Sequence, residues 1–409
     1  MEEKPKIPLP KELSDPAWQT QTEVLEMQPG RPHRLVIGIP KENTFQENRV
    51  GLVPHSVATL VAHGHRVIVE AGAGQNSRFA DIEYSEVGAE IAHSREQVFR
   101  ADLLIKIAPP TLDEIELFRP NQILISPIHL PTRDAEYLQK LQKKRVIALA
   151  MEYIRDESGL FPFVHIMSEI AGTSAILIAG ELLSNTHGGR GVLLGGIAGV
   201  PPAKVIILGA GVVAEFATRT ALGLGAEVRV FDSNVYKLMR LQNRLGRMLH
   251  TSVINPIHLR EQLRTAQVAI GAIHSAQGRT PMIVNEEMVA GMKPGTVIVD
   301  VSIDQGGCFE TSRLTTHDKP TFTESGVIHY CVPNIASRVS RTASIGFSNI
   351  LTSMLIKTET LGSMEALIAA NQGLRNGVYT YKGCLTNTYL GERFQIKTTS
   401  LDLLITSNL

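Results

Sequence analysis

The sequence predicts an α/β protein of two Rossmann-like domains with parallel sheets, the second inserted into a discontinuous first. Three observations predict it. Short strand-type apolar runs alternate with helical patterns over 35–151, and again over 205–331. A glycine turn, Gly209-Ala210-Gly211, joins one such run to a small-residue helix. A long, mostly apolar helical segment, 165–184, and another long helical segment, about 341–359, flank the second block, and the tail, with no β pattern of its own, is expected to pack back onto the first domain.

Residues 1–33 are polar, with prolines near the start, and read as an extension outside the first domain. Within them TQTEVLEM is either a short docking helix or part of a disordered tail. The outer domain is expected at 34–164 plus 341–409. Its strands are 35–39, 66–70, 103–107, 122–126 and 145–151, with helices at 54–63, around TLDEIELF, and at 134–143. SEVGAEIA carries a further helix and strand edge, and AGAGQNS a turn. The closing segment, including MEALIAANQGLRNG, reads as helical, with no alternating β pattern.

The inserted domain is expected at 165–340. The run 205–208 enters the glycine turn, a helix follows, and the next strand ends in Asp232, 23 residues after Gly209. This order is a dinucleotide-binding βαβ unit. Gly209 permits the turn, and Gly211 lets backbone approach a pyrophosphate. The helix N-terminus supplies N–H donors. Ala214 stands at the third glycine position. Asp232 can accept hydrogen bonds from an adenine ribose, which favours NAD over NADP. Strands continue at 267–273, 296–301 and 327–331. Together these predict a nucleotide-binding domain inserted into a discontinuous outer domain.

Composition narrows the function classes. With 40 basic and 40 acidic side chains, the chain offers no nucleic-acid surface and no polybasic anchor. Cys308, Cys331 and Cys384 form neither a disulfide framework nor a zinc-site spacing, so no metal is expected and the compartment is reducing. The N-terminus lacks a leader's apolar core, and the runs at 191–200 and 205–213 are too short to span a membrane. A cytoplasmic location is the expectation.

Four polar segments stand at the ends of apolar strands, where α/β sites form. In IGIPKENTFQENRV, Arg49 can hold a small carboxylate in a bidentate clamp, or form a structural ion pair. Lys41 and Glu47 are lesser candidates there. In ILISPIHLPTRD, His129 can exchange a proton near neutrality, or be satisfied by a local carbonyl. In TVIVDVSIDQGGCFE, Asp304 can order an amine or water, or merely cap a turn, while Asp300 braces the loop. In HYCVPNIASRVSRT, Asn334 can contact a cofactor amide, as Arg338 and Arg341 can unless they face solvent; Ser168 can reach a cofactor hydroxyl or phosphate.

Taken together, GIPKE…ENRV, GHRVIVEAGAG, PPAKVIILGAGVVA, GLGAEVRVFD, MKPGTVIVDVSIDQGGCFE, THDKPTF and HYCVPNIASRVSRT resemble the alanine dehydrogenase and proton-translocating transhydrogenase α-subunit family, closest to alanine dehydrogenase. The resemblance runs from Val36 to Gly377. It implies NAD-dependent, reversible oxidative deamination of L-alanine to pyruvate and ammonium. It also implies a homohexamer with the cleft between its domains. Arg49 matches the arginine that holds substrate carboxylate, His129 the catalytic histidine and Asp304 the catalytic aspartate. Asp232 matches the ribose acid, and Gly209, Gly211 and Ala214 the nucleotide turn. Ser168 and Asn334 occupy positions close to the cofactor.

One departure bears on substrate. Alanine dehydrogenases read LKVKEP where this chain reads IKIAPP at 105–110. The second lysine of that motif binds substrate, and Ala108 replaces it. Lys106 matches the first lysine. In an extended strand it shares a face with position 108, so it is the expected substitute substrate-binding group. Losing a charged partner costs ~2–5 kcal/mol. The alternatives are therefore a dehydrogenase of another amino acid or imine, or a soluble NAD(H)-binding transhydrogenase-like subunit.

Overall fold

The computed structural model describes residues 35–44, 46–130, 133–275 and 278–406. The segment 1–33, with TQTEVLEM, lies outside the described residues.

Two sheets form. The first contains β1 (Val36–Ile39), β2 (Arg66–Glu70), β3 (Glu90–Ala92), β4 (Leu103–Ile105), β5 (Ile123–Ser126) and β6 (Ile147–Ala150). Their spatial order is β3-β2-β1-β4-β5-β6, all parallel. The second contains β7 (Lys204–Leu208), β8 (Glu227–Phe231), β9 (His250–Ser252), β10 (Val268–Gly271), β11 (Val297–Asp300), β12 (Thr321–Glu324) and β13 (Val327–Tyr330). Its order is β9-β8-β7-β10-β11-β13, parallel throughout, with β12 antiparallel on the edge. Both are doubly wound sheets whose strand order reverses once, beside β1 and beside β7. Ligands of such sheets bind at the carboxyl ends of the strands flanking that reversal.

Period-2 alternation builds a core on each face of each sheet. Val67, Val69, Leu103, Ile105, Ile123 and Ile125 face one core, while Ile68, Leu104, Leu124 and Ala148 face the other. In the second sheet Val205, Ile207, Val297 and Val299 oppose Ile206, Leu208 and Ile298. Parallel sheets are covered on both sides, which is why these strands read as continuous apolar runs.

Two long helices join the halves. Pro162–Leu182 sets Phe163 in the first core and Ala171, Ala175 and Ala179 in the second. It lies tightly on the helix Val212–Gly223: a Cβ at Gly172 would meet the Val213 carbonyl at 2.3 Å. Among the described residues it is the one helix long and apolar enough to cross a membrane, with a mean hydropathy of 1.5, above what the sequence suggested. Ser340–Leu361 returns the chain, with Phe347, Leu351 and Leu355 in the first core.

The tail departs from expectation. β14 (Val378–Tyr381) pairs antiparallel with β6, and β15 (Cys384–Leu385) pairs with β14, so an antiparallel hairpin extends the first sheet. Lys382 and Gly383 both take positive φ, 47° and 100°, as a two-residue hairpin turn requires. Fully buried four-residue strands show no alternation, which hid this one from periodicity.

Candidate active site

The loop after β1 carries Arg49 against Asn334, which follows β13 of the second sheet. Its backbone is fixed from the returning helix and the turn before it. The Asn48, Val50 and Val53 amides donate to Ser337 Oγ at 2.9 Å, Ser344 Oγ at 2.9 Å and Ser348 Oγ at 3.0 Å. Ser344 and Ser348 are one helical turn apart and so face the same way. Arg49 is buried at 5% exposure and grips Glu47 with two bonds, Nε to Oε1 at 2.7 Å and Nη2 to Oε2 at 2.6 Å. Nη2 also donates to Asn334 Oδ1, and Nη1 reaches Met167 Sδ at 3.1 Å. Burial would raise the Glu47 carboxyl, but Arg49 and the Asn334 amide outweigh it, so its pKa is lowered. The Arg49–Glu47 pair is therefore ionised on both sides.

His129 follows β5. It holds a left-handed backbone, φ 48°, unusual for a residue other than glycine. Burial, then Arg49, push its imidazole down to about 4. The ring is neutral at pH 7, a base rather than a cation.

Asp304 lies in the short 3-10 turn Val301–Gln305 after β11. Water reaches it, yet surrounding protein desolvates the carboxyl enough to raise it to about 6, with the Asn334 amide and Arg49 opposing. Asp300 behind it is buried. It accepts from the Ser302 and Cys308 amides at 3.0 and 2.9 Å and from Ser312 Oγ at 2.7 Å, and so braces the loop. Asn334 follows β13 in a left-handed conformation, φ 59°, and its amide donates to Asp304 Oδ1 at 3.3 Å. Arg49 thus acts electrostatically on both His129 and Asp304, which come from different domains.

The glycine turn follows β7 at the reversal point of the second sheet. Gly209 has φ 112°, and a Cβ there would strike the Ala272 carbonyl at 2.3 Å. At Gly211 a Cβ would meet nothing within 4 Å, so open space lies where backbone must approach a pyrophosphate. Ala214 is fully buried on the following helix. Asp232 is 6% exposed, and its two oxygens accept from the Ala210 and Asn234 amides, each at 2.8 Å. A carboxylate has about four acceptor sites, so capacity remains for a ribose hydroxyl. These features fit a dinucleotide.

Residues 38–171 match the description "Alanine dehydrogenase/PNT, N-terminal domain", and residues 175–388 match "Alanine dehydrogenase/PNT, C-terminal domain". The chain belongs to the alanine dehydrogenase/PNT family. It is 38% identical over 369 residues to "Alanine dehydrogenase 2" of Staphylococcus aureus (strain USA300), covering 90% of this chain and 99% of that protein. Among solved structures, an L-alanine dehydrogenase superposes with a TM-score of 0.82 at 35% identity, covering 88% of this chain and 99% of that one. A transhydrogenase from Sinorhizobium meliloti superposes with a TM-score of 0.74 at 24% identity, covering 86% of this chain and all of that one, a likeness of fold.

Against the family's two-lysine motif, one expected role needs correction. Lys106 does not open onto the cleft. Its side chain is 2% exposed, and its ammonium donates to Glu42 Oε2 at 2.9 Å and Glu114 Oε1 at 3.3 Å. Burial alone would lower the Lys106 pKa, but Glu42 and Glu114 outweigh it and raise it. Arg95 joins the cluster, donating to Glu114 Oε1 at 2.6 Å and to the Lys41 carbonyl at 2.8 Å. These charges fasten the β1 loop to the end of β4. Ala108 is itself buried, at 2% exposure. Ser168 is half-buried on the interdomain helix, next in sequence to Met167. The structure adds Glu47 as a full partner of Arg49. It also places the Glu152 carboxylate on the backbone of His129, a contact for which the sequence held no signal.

Proposed function

We propose that this chain catalyses the reversible, NAD-dependent oxidative deamination of L-alanine to pyruvate and ammonium. One observation carries the reading: buried Arg49 of the outer domain bonds Asn334, whose backbone amide in turn donates to the Asp304 carboxylate of the other sheet. Family membership gives the reaction class.

Arg49 would hold the substrate carboxylate. Its Nε–Nη2 edge is filled by Glu47, whereas among the described residues Nη1 hydrogen-bonds the thioether of Met167, a weak acceptor that a carboxylate displaces. Asp304, ionised above about 6, would face the substrate amine and later the attacking water. Bound NAD would supply the redox chemistry, accepting hydride from the substrate Cα. The substrate nitrogen first loses a proton to become the neutral amine, and hydride loss then leaves an iminium. His129 would take a proton from water as its oxygen adds to that carbon and return it to the amine; as the C–N bond breaks, the hydroxyl proton passes to the nitrogen, so that pyruvate and ammonium separate. Gly209, Gly211, Ala214, Asp232, Asn334 and Ser168 would hold the dinucleotide.

Ala108 favours a second reading, a dehydrogenase of a larger amino acid or an imine. The site lacks the family's lysine, and Lys106 is bound elsewhere. NADH formation with NAD and a panel of small amino acids tests both, with the reverse assay using pyruvate and ammonium. Turnover of alanine above all others supports the first reading; turnover confined to bulkier substrates supports the second. We further infer a cytoplasmic homohexamer. Leu193, Ile197 and Val200, each more than half exposed, give an apolar surface suited to self-association. Light scattering reads the mass directly.

A further inference from the structure

Glu152 has no role in the proposed chemistry, yet it touches the backbone of His129. It stands directly after β6, in the short 3-10 turn Met151–Tyr153, beside the end of β5. Its Oε1 accepts two consecutive backbone donors, the Ile128 amide at 2.8 Å and the His129 amide at 3.0 Å. Oε2 is buried, with no hydrogen-bond partner among the described residues. The carboxyl is therefore removed from water for the sake of one oxygen, and that oxygen holds the chain where His129 takes φ 48°. Pro127 offers no amide, and the next two N–H groups both bond Glu152.

We propose that Glu152 is a positioning residue for His129, its single carboxyl oxygen fixing the left-handed turn from which the imidazole projects. The inference rests on the reading of His129 as the acid–base group. Reach and acceptor character are what matter, not charge. Glutamine keeps both. Alanine removes the acceptor, and aspartate retracts it by one methylene. A histidine turn that relaxes misplaces the base by ångströms, and misplacement weakens the chemical step more than binding.

The test is steady-state alanine oxidation by the full-length protein, with NADH affinity read from the nucleotide's own fluorescence. E152A is expected to lower kcat about tenfold or more while KM for alanine and the NADH Kd stay within about threefold. E152Q is expected to restore most of the lost kcat. If E152A does not fold, E152D carries the same expectation, since it keeps the charge and loses the reach. An E152A or E152D enzyme within about twofold of the parental kcat overturns the proposal, as does an E152Q enzyme as impaired as E152A. H129A separates the two levels. If H129A is inactive and E152A is not impaired, only the positioning role fails. If H129A retains full turnover, the histidine reading fails and this one with it.

Discussion

Asn334 and Arg49 join the two domains through one side-chain amide. Asn334 Oδ1 accepts from Arg49 Nη2, and its Nδ2 donates to the Glu47 carboxylate at 2.8 Å. The same residue's backbone amide reaches Asp304. A hydrogen bond to a charged group contributes about 1.5–3 kcal/mol. We predict that N334A raises KM for alanine by roughly ten- to a hundredfold, with a smaller effect on kcat, because it loosens the carboxylate clamp. Steady-state kinetics check this; an unchanged KM would remove Asn334 from the clamp.

The pH dependence follows from two displaced groups. Asp304, raised to about 6 by the desolvating protein around it, must ionise to serve the amine, whereas His129, at about 4, is already neutral by then. The expected kcat/KM for alanine therefore falls below pH about 6, and the limb reports Asp304 rather than histidine. Stability moves too. His129 is held below its ordinary value of 6.5, so between pH 6.5 and about 4 the unfolded chain binds a proton that the native one does not. That contribution to stability is present above 6.5 and is lost as pH falls toward 4. Denaturant melts of H129Q against the parent isolate it, and parallel pH profiles would contradict the displaced histidine.

The two glycines of the nucleotide turn separate fold from ligand. G209A drives a Cβ into the Ala272 carbonyl from a left-handed backbone, so it should destabilise the domain by several kcal/mol. G211A meets open space and should melt like the parent. Its Cβ projects where the pyrophosphate approaches, so NAD affinity should drop. Calorimetric melting with and without NAD decides it, and a G211A protein with parental NAD affinity would place the nucleotide elsewhere.

Lys106 is expected to act on stability and not on substrate specificity. K106M leaves Glu42 buried without its cation, while Glu114 keeps Arg95, a loss of about 3–5 kcal/mol. A108K should instead lower KM for alanine if the missing lysine limits turnover. Chemical denaturation and kinetics on both variants distinguish the two positions. A K106M protein of parental stability with a raised KM would return Lys106 to the substrate.

Much of the site was legible because its residues follow strands. Arg49, His129, Asp304, Asp232 and Asn334 all stand within a loop's length of a strand's carboxyl end, and apolar runs mark those ends in the sequence. The hairpin of β14 and β15 was not legible, since VYTY is buried on every side and shows no alternation. Nor was Glu152, whose partners lie on a neighbouring strand and are backbone atoms with no identity in the sequence.

The sequence by itself determined the two doubly wound sheets, the glycine turn after β7 with Asp232 beyond it, and the polar residues available at the strand ends. These depend on local period and on glycine's backbone freedom, both written residue by residue. Only the tertiary structure decided how those residues are partnered. Lys106 and position 108 share a face in an extended strand, yet the carboxylates of Glu42 and Glu114, 64 and 8 residues away, bind the lysine in a buried cluster. Arg49 likewise meets Asn334, 285 residues distant. Charge pairing in a desolvated interior is set by proximity in space, and sequence separation carries no record of it.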